Sequence, residues 1–234
     1  MFAVYKRELQ AYFKTPIGYI FCAIFLALSG AVFAYTTLFS MRADVSSYFT
    51  YMLFLFVILV PLLTMKLFSE ERKQKTEQLL LTAPLSIFGM VMGKFLAAYT
   101  LFAGCMLFSS LSFLILTLYG QLQAPVLFGN ILAILLLGMT FVSIGLFVSA
   151  LTENQLAAAI GTVSILLVFL LISLLNTLIP TYWIRFILST VSVFSRFQNF
   201  TQGVFDISAL LYYLSVSAAF LFLTVRVYDR RRWG

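Results

Sequence analysis

The chain has 234 residues, of which 62% are hydrophobic and only 10% are charged, and its formal net charge is +7. A soluble domain is about half apolar and about a quarter charged, and a chain of this length has too little interior to hide such an excess of apolar side chains from water. The composition therefore excludes a soluble globular protein and predicts that much of the surface faces lipid. The sequence has no histidine, which removes most histidine-based metal sites, haem ligation and serine–histidine catalysis.

Apolar stretches long enough to cross a bilayer recur along the whole chain. A helix needs about 20 mostly apolar residues to cross the hydrocarbon region, and six stretches meet this condition. The first is too long for the apolar region of a cleavable signal peptide, so we expect it to remain as a span. We therefore predict an all-α polytopic membrane protein with a single transmembrane domain over residues 1–234. The predicted spans are Ile17–Phe39, Tyr48–Met65, Phe95–Tyr119, Val126–Leu151, Leu156–Ile179 and Ser208–Val225.

Four segments lie outside the predicted spans, which occupy residues 17–65, 95–179 and 208–225. Their ranges are 1–16, 66–94, 180–207 and 226–234. The first mixes apolar and charged side chains, which indicates an amphipathic helix in the inner membrane interface, with a frayed tail as the alternative. The third is rich in aromatic side chains, so we expect short interfacial or re-entrant outer helices there. Only the tight turn Thr152–Gln155 separates the fourth and fifth spans.

The distribution of basic residues predicts the orientation, because cytoplasmic loops carry an excess of Lys and Arg. With the N- and C-termini in the cytoplasm, the 15 basic residues divide twelve inside to three outside. The reverse orientation would place the twelve outside, so we reject it. The net positive charge then belongs to a membrane surface rather than to a nucleic-acid site. The inside residues are Lys6, Arg7, Lys14, Lys66, Arg72, Lys73, Lys75, Lys94, Arg226, Arg230, Arg231 and Arg232, and the outside ones are Arg42, Arg185 and Arg196.

The predicted spans contain no Lys, Arg, Asp or Glu in their interiors. Such residues mark proton and ion pathways, so their absence disfavours a proton-driven carrier. A pathway lined by apolar, aromatic and small hydroxyl side chains suits an amphipathic or lipid-like passenger. The span serines either line such a pathway or pack helices together, and helix packing is the favoured interpretation. These serines are Ser109, Ser110, Ser112, Ser143 and Ser149.

No pattern in the sequence predicts a metal, a cofactor or a catalytic centre. The stretch Gly89–Phe95 resembles a phosphate loop superficially, but its spacing is one residue short and Phe95 stands where Ser or Thr must reach magnesium. Gly89 and Gly93 instead indicate a small-xxx-small helix contact. Cys22 and Cys105 both lie in apolar runs, where free thiols are favoured over a disulfide or a metal pair. If ATP powers this protein, we expect another subunit to hydrolyse it.

The connection after the second span is dense in charge and then turns apolar. Ser69 is a candidate N-cap for a helix whose first turn holds Glu70 and Glu71, which suits the positive end of the helix dipole. Glu71 and Lys75 have the i, i+4 spacing of an ion pair on one face, and the helix should stop before Pro84. The segment is interpreted as a protein-docking helix, a solvated juxtamembrane loop or an anchor for anionic lipids.

The same connection carries a family resemblance. Two acids, a basic cluster and then Thr-Glu-x-Leu-Leu-Leu-Thr-x-Pro-Leu-Ser from Thr76 resemble the coupling segment of ABC-2 type transporter permeases. The run Lys6-Arg7-Glu8-Leu9, followed by Phe13-Lys14-Thr15-Pro16-Ile17-Gly18-Tyr19, is also similar to that superfamily. The resemblance is closest to its gliding-motility-associated and copper-processing-associated branches. Many members have Gly directly before the Thr, where this chain has Lys75.

The resemblance implies a function and a set of partners. Such permeases work in pairs, each bound to an ATPase subunit, so we expect an ABC ATPase, a second permease copy and the lipid bilayer as partners. ATP would be bound by the ATPase, and this chain would hold no cofactor and bind no nucleic acid. The pair would export an amphipathic or lipid-linked substrate across a bacterial cytoplasmic (inner) membrane. The alternative is a non-transporting anchor of an ATPase-driven assembly or signalling complex.

The resemblance also implies where the ATPase docks. The segment Glu70–Leu81 would sit in a groove on the ATPase, where Glu71 and Glu77 would meet basic groups and two leucines would fill an apolar cleft. The turn around Glu153 would make a second, smaller contact. The expected docking residues are Glu70, Glu71, Arg72, Lys75, Thr76, Glu77, Leu79, Leu80, Pro84 and Glu153.

Overall fold

A computed structural model describes residues 1–40, 45–78, 86–114, 124–178, 183, 192–197, 200 and 206–233. Within these residues the chain is helical and has no strand. The helices are α1 (Phe2–Lys14), α2 (Pro16–Phe33), α3 (Val45–Thr64), α4 (Ser69–Lys73), α5 (Ile87–Ser110), α6 (Ala124–Leu151), α7 (Gln155–Leu178) and α8 (Ile207–Trp233), and a π-helical turn at Ala34–Phe39 extends α2.

The prediction of six membrane-spanning helices in an all-α fold is confirmed. Six helices are long and apolar enough to cross a bilayer, and they correspond one to one with the predicted spans. The tight turn before the fifth span is present, because α6 ends at Leu151 and α7 begins at Gln155. The predicted end of the third span at Tyr119 and most of the outer connection 180–207 lie outside the described residues.

The third spanning helix begins earlier than predicted, at Ile87 rather than Phe95. Lys94 therefore lies inside a spanning helix, and the prediction that no span carries a charged residue is wrong at this position. Its side chain is fully buried. The sequence pattern missed it because the groups that neutralise Lys94 come from distant parts of the chain, as described below.

The centre of the helix bundle is α6, which packs against α3, α5, α7 and α8. Within its apolar window 72% of the residues are buried, against 17% in α7 and 28% in α2. Two glycines allow this close packing: a Cβ at Gly138 would collide with the ring of Phe102, and one at Gly145 with the side chain of Thr64. The outer helices keep broad exposed apolar faces, for example at Leu156 and Ile160 of α7, as expected for surfaces that lipid or protein covers in a membrane.

Hydroxyl groups join the helices in the interior. The hydroxyls of Ser29, Tyr48 and Ser109 bond to one another and so connect α2, α3 and α5, with 2.8 Å between Ser29 and Tyr48 and 2.7 Å between Tyr48 and Ser109. These bonds support helix packing as the role of Ser109. Cys22 and Cys105 are free thiols, with their sulfur atoms 3.3 Å apart.

The helix α1 packs along the beginning of α5 and against α2. A Cβ at Gly93 would lie 2.9 Å from Val4 Cβ, so α1 approaches α5 closely because Gly93 has no side chain. A Cβ at Gly89 would lie 3.5 Å from the Met1 nitrogen, which is an ordinary contact distance, and 2.7 Å from Ser86 Oγ. The predicted close helix contact is therefore present at Gly93, and its partner is α1.

Candidate functional site

The short helix α4 follows α3 and covers only Ser69–Lys73, so the regular helix is shorter than the predicted docking helix. The predicted capping role of Ser69 is wrong, because its hydroxyl donates to the Met65 carbonyl instead. The N–H groups of Phe68 and Ser69 donate to Ser149 Oγ at 3.1 and 3.2 Å. The start of α4 is therefore capped by α6, and Ser149 has a structural role that explains its burial.

The helix ends where the backbone of Lys75 adopts a left-handed conformation, with φ of 58°. Side chains with a Cβ rarely adopt this region, whereas glycine reaches it freely. A glycine at this position would adopt the same backbone conformation without a steric cost. The observed geometry also makes the predicted i, i+4 pair of Glu71 and Lys75 wrong, because the helix that would align them ends at Lys73.

The ammonium group of Lys94 is the centre of a buried charge cluster. Its side chain is 1% exposed, and Nζ lies 2.9 Å from Glu71 Oε2 and 3.2 Å from Glu8 Oε1. It also donates to the Leu67 carbonyl at 2.6 Å and lies 5.0 Å from the centre of the Phe68 ring. A buried charge is tolerated only when it is paired and hydrogen-bonded, and Lys94 meets that condition with groups from α1, α4 and the turn between α3 and α4.

Arg7 completes this cluster, which we call the Lys94 cluster (Arg7, Glu8, Glu71 and Lys94). Its Nη2 lies 2.5 Å from Glu8 Oε1 and 2.8 Å from Glu71 Oε1. Burial lowers the pKa of Arg7, but the two carboxylates outweigh that effect and the pKa is raised above its ordinary value. The guanidinium therefore stays charged, and two cations balance two carboxylates where α1, α4 and α5 meet.

A second contact fixes α1 to the end of α3. The hydroxyl of Tyr12 donates to the Leu63 carbonyl at 2.9 Å in a buried position. Burial and the nearby Glu8 carboxylate both raise the pKa of Tyr12 above its ordinary value. Because the phenol stays protonated, this hydrogen bond persists across the physiological pH range.

On its other side, α4 is fastened to the end of α6 and the turn that follows. Arg72 Nη1 donates to the Leu151 carbonyl at 2.8 Å, and Arg72 Nη2 lies 2.9 Å from Glu153 Oε1. The carbonyls at a helix C-terminus carry partial negative charge and attract cations. Arg72 therefore links two of the segments that were predicted to form the docking site.

The C-terminal part of α8 makes a similar contact. Arg231 Nη2 donates to the Ala150 carbonyl at 2.7 Å, and Arg231 Nη1 lies 3.1 Å from Glu77 Oε1. The guanidinium also lies over the Tyr228 ring, which in turn contacts the Phe68 ring with centroids 4.6 Å apart. The connection after α3 is thus held by α1, α5, α6 and α8 at one end of the bundle, which we call the charged end.

The predicted docking residues differ in their exposure. Glu71 and Glu77 are only 20% and 13% exposed and are paired within the chain. Glu153 is 64% exposed. Between residues 65 and 78 the exposed side chains are Lys73, Gln74, Lys75 and Gln78, which together with Glu153 we call the exposed face. Glu70, Arg72 and Thr76 are partly buried, and Leu79, Leu80 and Pro84 lie outside the described residues.

Sequence reasoning missed five residues that hold this site together: Arg7, Glu8, Lys94, Ser149 and Arg231. Each has at least one partner that is remote in sequence, so no local spacing signals that contact. A lysine at the beginning of an apolar helix was the one available signal, because such a charge needs a partner when it is buried.

Comparison with models of known protein families identifies the family of this chain. The model of the ABC-2 family transporter protein matches residues 3–233, which is nearly the whole chain. No curated protein matches the chain significantly. The match includes all six spanning helices and the charged connection that the sequence analysis related to this family. The chain therefore belongs to the ABC-2 family of transporter membrane proteins.

Proposed function

We propose that this chain is the membrane subunit of an ABC exporter, which pairs with a second permease copy and docks a separate ABC ATPase at the charged end. Membership of the ABC-2 family supports the permease role and implies an ATPase partner. ATP is bound by that partner. The complex lies in a bacterial cytoplasmic membrane with both termini of this chain inside, as the distribution of basic residues favours.

The observation that carries this proposal is that the connection after α3 is fixed to four helices of the bundle. Its backbone and buried charges are tied to α1, α5, α6 and α8, while Lys73, Gln74, Lys75 and Gln78 remain exposed. A segment that is rigid on its inner side and polar on its outer side suits a contact that transmits force. A solvated loop would not need these ion pairs and hydrogen bonds to the helices.

This arrangement changes the roles that we assign to two glutamates. Glu71 and Glu77 are neutralised within the chain, by Lys94 and Arg7 in the first case and by Arg231 in the second. We assign them to holding the docking segment on the spans, and we assign contact with the ATPase to the exposed face. Leu79 and Leu80 keep their proposed place in an apolar cleft of the ATPase, and Pro84 stays among the proposed docking residues.

Closure of the ATPase dimer would then move the spans through these contacts. Packed helices shift as rigid bodies because their interfaces do not deform continuously. A displacement of α4 acts on α1 and α5 through the Lys94 cluster, and on α6 and α8 through Arg72 and Arg231. Access to the cavity between the two permease copies would change as a result.

The passenger that suits this protein is amphipathic or lipid-linked. Among the described residues, the charged side chains gather at the ends of the spanning helices, and the interior offers aromatic rings and bonded hydroxyls. The exposed apolar faces of α2 and α7 leave room for a second copy. Within the family, the gliding-motility and copper-processing branch is proposed from the residues Lys6–Tyr19 alone.

Co-purification tests the proposal directly. The tagged chain, extracted from its native membrane in mild detergent, should elute with an ABC ATPase in a two-to-two ratio and with vanadate-sensitive ATP hydrolysis. The double substitution Lys73→Glu with Lys75→Glu should release the ATPase, because both side chains belong to the exposed face. Lys6→Glu, an exposed lysine of α1, serves as the matched control and should retain it. A chain that elutes without any ATPase would refute the docking assignment.

Reconstitution of the complex in lipid vesicles distinguishes a transporter from a membrane anchor. The purified complex in lipid vesicles should move a fluorescent lipid between leaflets when ATP is supplied. ATP hydrolysis without movement of any amphipathic probe would instead favour the alternative, a membrane anchor of an ATPase-driven assembly or signalling complex.

A further inference from the structure

A cavity of about 410 Å³ lies at the charged end, between α1, α4 and the beginning of α2. Apolar side chains such as Ala11, Ile17 and Leu67 line one part of it. Uncharged polar side chains also line it, together with three cations and three carboxylates, which are Arg7, Lys66, Lys94, Glu8, Glu70 and Glu71. The volume is within the range of small-ligand pockets and well above the roughly 30 Å³ that one water molecule occupies.

Most of these charges are already engaged with one another. The Lys94 ammonium and the carboxylates of Glu8 and Glu71 form the close contacts of the Lys94 cluster. The exception is Lys66, whose Nζ lies 3.6 Å from Glu70 Oε2, a longer separation than in the ion pairs of the Lys94 cluster. Both side chains are partly exposed, at 23% and 37%. This pair lies beyond hydrogen-bond range, and Glu70 Oε1 accepts a hydrogen bond from Gln74 Nε2 at 3.3 Å. The groups that a ligand can bind are therefore the Lys66 ammonium and Glu70 Oε2.

The cavity lies where α1 leads into the first span, since α1 ends at Lys14 and α2 begins at Pro16. With α1 in the inner membrane interface, as proposed above, this junction is at the depth of lipid headgroups. We infer that this cavity binds the headgroup of a zwitterionic phospholipid with a primary ammonium group. Its phosphate lies on Lys66 with Arg7 nearby, and its ammonium lies on Glu70.

The charge balance of the lining selects this ligand. Lys and Arg side chains bind phosphate through charge-assisted hydrogen bonds, which accounts for the phosphate half. A purely anionic headgroup would bring its charge beside three carboxylates and would offer no donor to Glu70 Oε2. A zwitterion inserted between Lys66 and Glu70 satisfies both groups. Such a lipid is distinct from the passenger and braces α1 against α4 at the site where force is transmitted.

The experiment measures binding of defined lipids to the full chain in detergent, by native mass spectrometry and by thermal unfolding. The probes are phosphatidylethanolamine, phosphatidylglycerol, diacylglycerol, soluble phosphoethanolamine and inorganic phosphate. We expect phosphatidylethanolamine to be retained and to raise the apparent Tm by a few degrees. The other four probes should each have an effect on retention and on Tm that is at least tenfold weaker. Binding needs no ATPase, so a failure here is distinguishable from a failure of the proposed coupling function.

Two substitutions test the phosphate-binding half and the ammonium-binding half of the site one at a time. Lys66→Gln should abolish retention of phosphatidylethanolamine, and Glu70→Gln should remove its advantage over phosphatidylglycerol. Lys6→Gln, an exposed lysine of α1 that does not line the cavity, should bind as the wild type does. If a variant does not fold, the order of the five probes on the wild-type chain decides. Equal binding of phosphatidylglycerol, equal binding of inorganic phosphate, or retention by Lys66→Gln would each overturn the inference.

Discussion

At the scale of single residues, the charge of Lys94 is the costliest group that the fold has to accommodate. Its ammonium is buried among apolar helices and reaches neutrality only through Glu8 and Glu71. Removing one member of such a set leaves the others buried with unbalanced charge, which costs more than the pair itself contributes. The stability of the charged end therefore depends on all members of the Lys94 cluster together.

Lys94→Met should lower the free energy of unfolding by about 3 kcal/mol, because two carboxylates then share only Arg7. The measurement is thermal unfolding of the purified chain in detergent. Adding Glu8→Gln and Glu71→Gln to Lys94→Met should recover part of the loss, since the uncompensated charges are then gone. An unchanged unfolding temperature for Lys94→Met would contradict the role assigned to the cluster.

At the scale of elements, two contacts decide how the connection after α3 is attached to the spanning helices. On one side, α1 packs on α5 at Gly93, where Val4 takes the space of a side chain. On the other side, the end of α8 reaches Glu77 through Arg231. Both contacts join segments that are far apart in sequence and bring them to the same end of the bundle.

Gly93→Leu should displace α1 from α5, because a Cβ at this position already lies 2.9 Å from Val4 Cβ. Overpacking of this kind costs about 1–3 kcal/mol. We expect faster proteolytic cleavage within α1 and a loss of ATP-coupled activity. Gly104→Leu on the same helix is the matched control, because nothing lies within 4 Å of a Cβ there. Equal cleavage rates for the two variants would show that α1 is not held by this contact.

Glu77→Arg should abolish ATP-coupled function and leave membrane insertion intact, since it places two cations side by side at Arg231. The charge swap Glu77→Arg with Arg231→Glu should restore a measurable part of the activity by re-forming the pair in reverse. Activity is read as ATP-dependent movement of a lipid probe in vesicles. Normal activity of the single variant would remove Glu77 from the coupling path.

At the scale of the whole molecule, the helices place most of the described charged side chains at one end and broad apolar faces on the outside. The described elements that carry the predicted cytoplasmic residues, α1, α4, the start of α5 and the end of α8, meet at the charged end. Broad apolar faces remain on α2 and α7. A molecule of this form has one orientation that the basic residues favour, with the charged end in the cytoplasm.

Single-cysteine labelling checks this orientation. In a chain that carries Cys22→Ser and Cys105→Ser, a cysteine at Lys73 should react with a membrane-impermeant maleimide only after the inner face is opened. A cysteine at Trp183, which is 75% exposed, should react in intact cells. Labelling of the Lys73 position in intact cells would reverse the predicted topology.

Much of the fold was predictable because each feature has a local signature. The six spans follow from runs of about 20 apolar residues, and the turn before α7 follows from a short polar break. The boundaries at Lys94 and Ser69 were not predictable in this way. In both cases the local pattern is ambiguous, and a residue remote in sequence, Glu8 or Ser149, decides the outcome.

The sequence by itself determined that the protein spans the membrane six times, which segment is charged and which family it belongs to, because hydropathy and motif are properties of contiguous residues. Only the tertiary structure decided which glutamates are exposed for a partner and which are held inside. Glu71 and Glu77 look alike in the sequence as members of an exposed charged run, yet Lys94 and Arg231 neutralise them. The pairing of a charge depends on which side chains the fold brings within about 4 Å, and that distance is not encoded in local spacing.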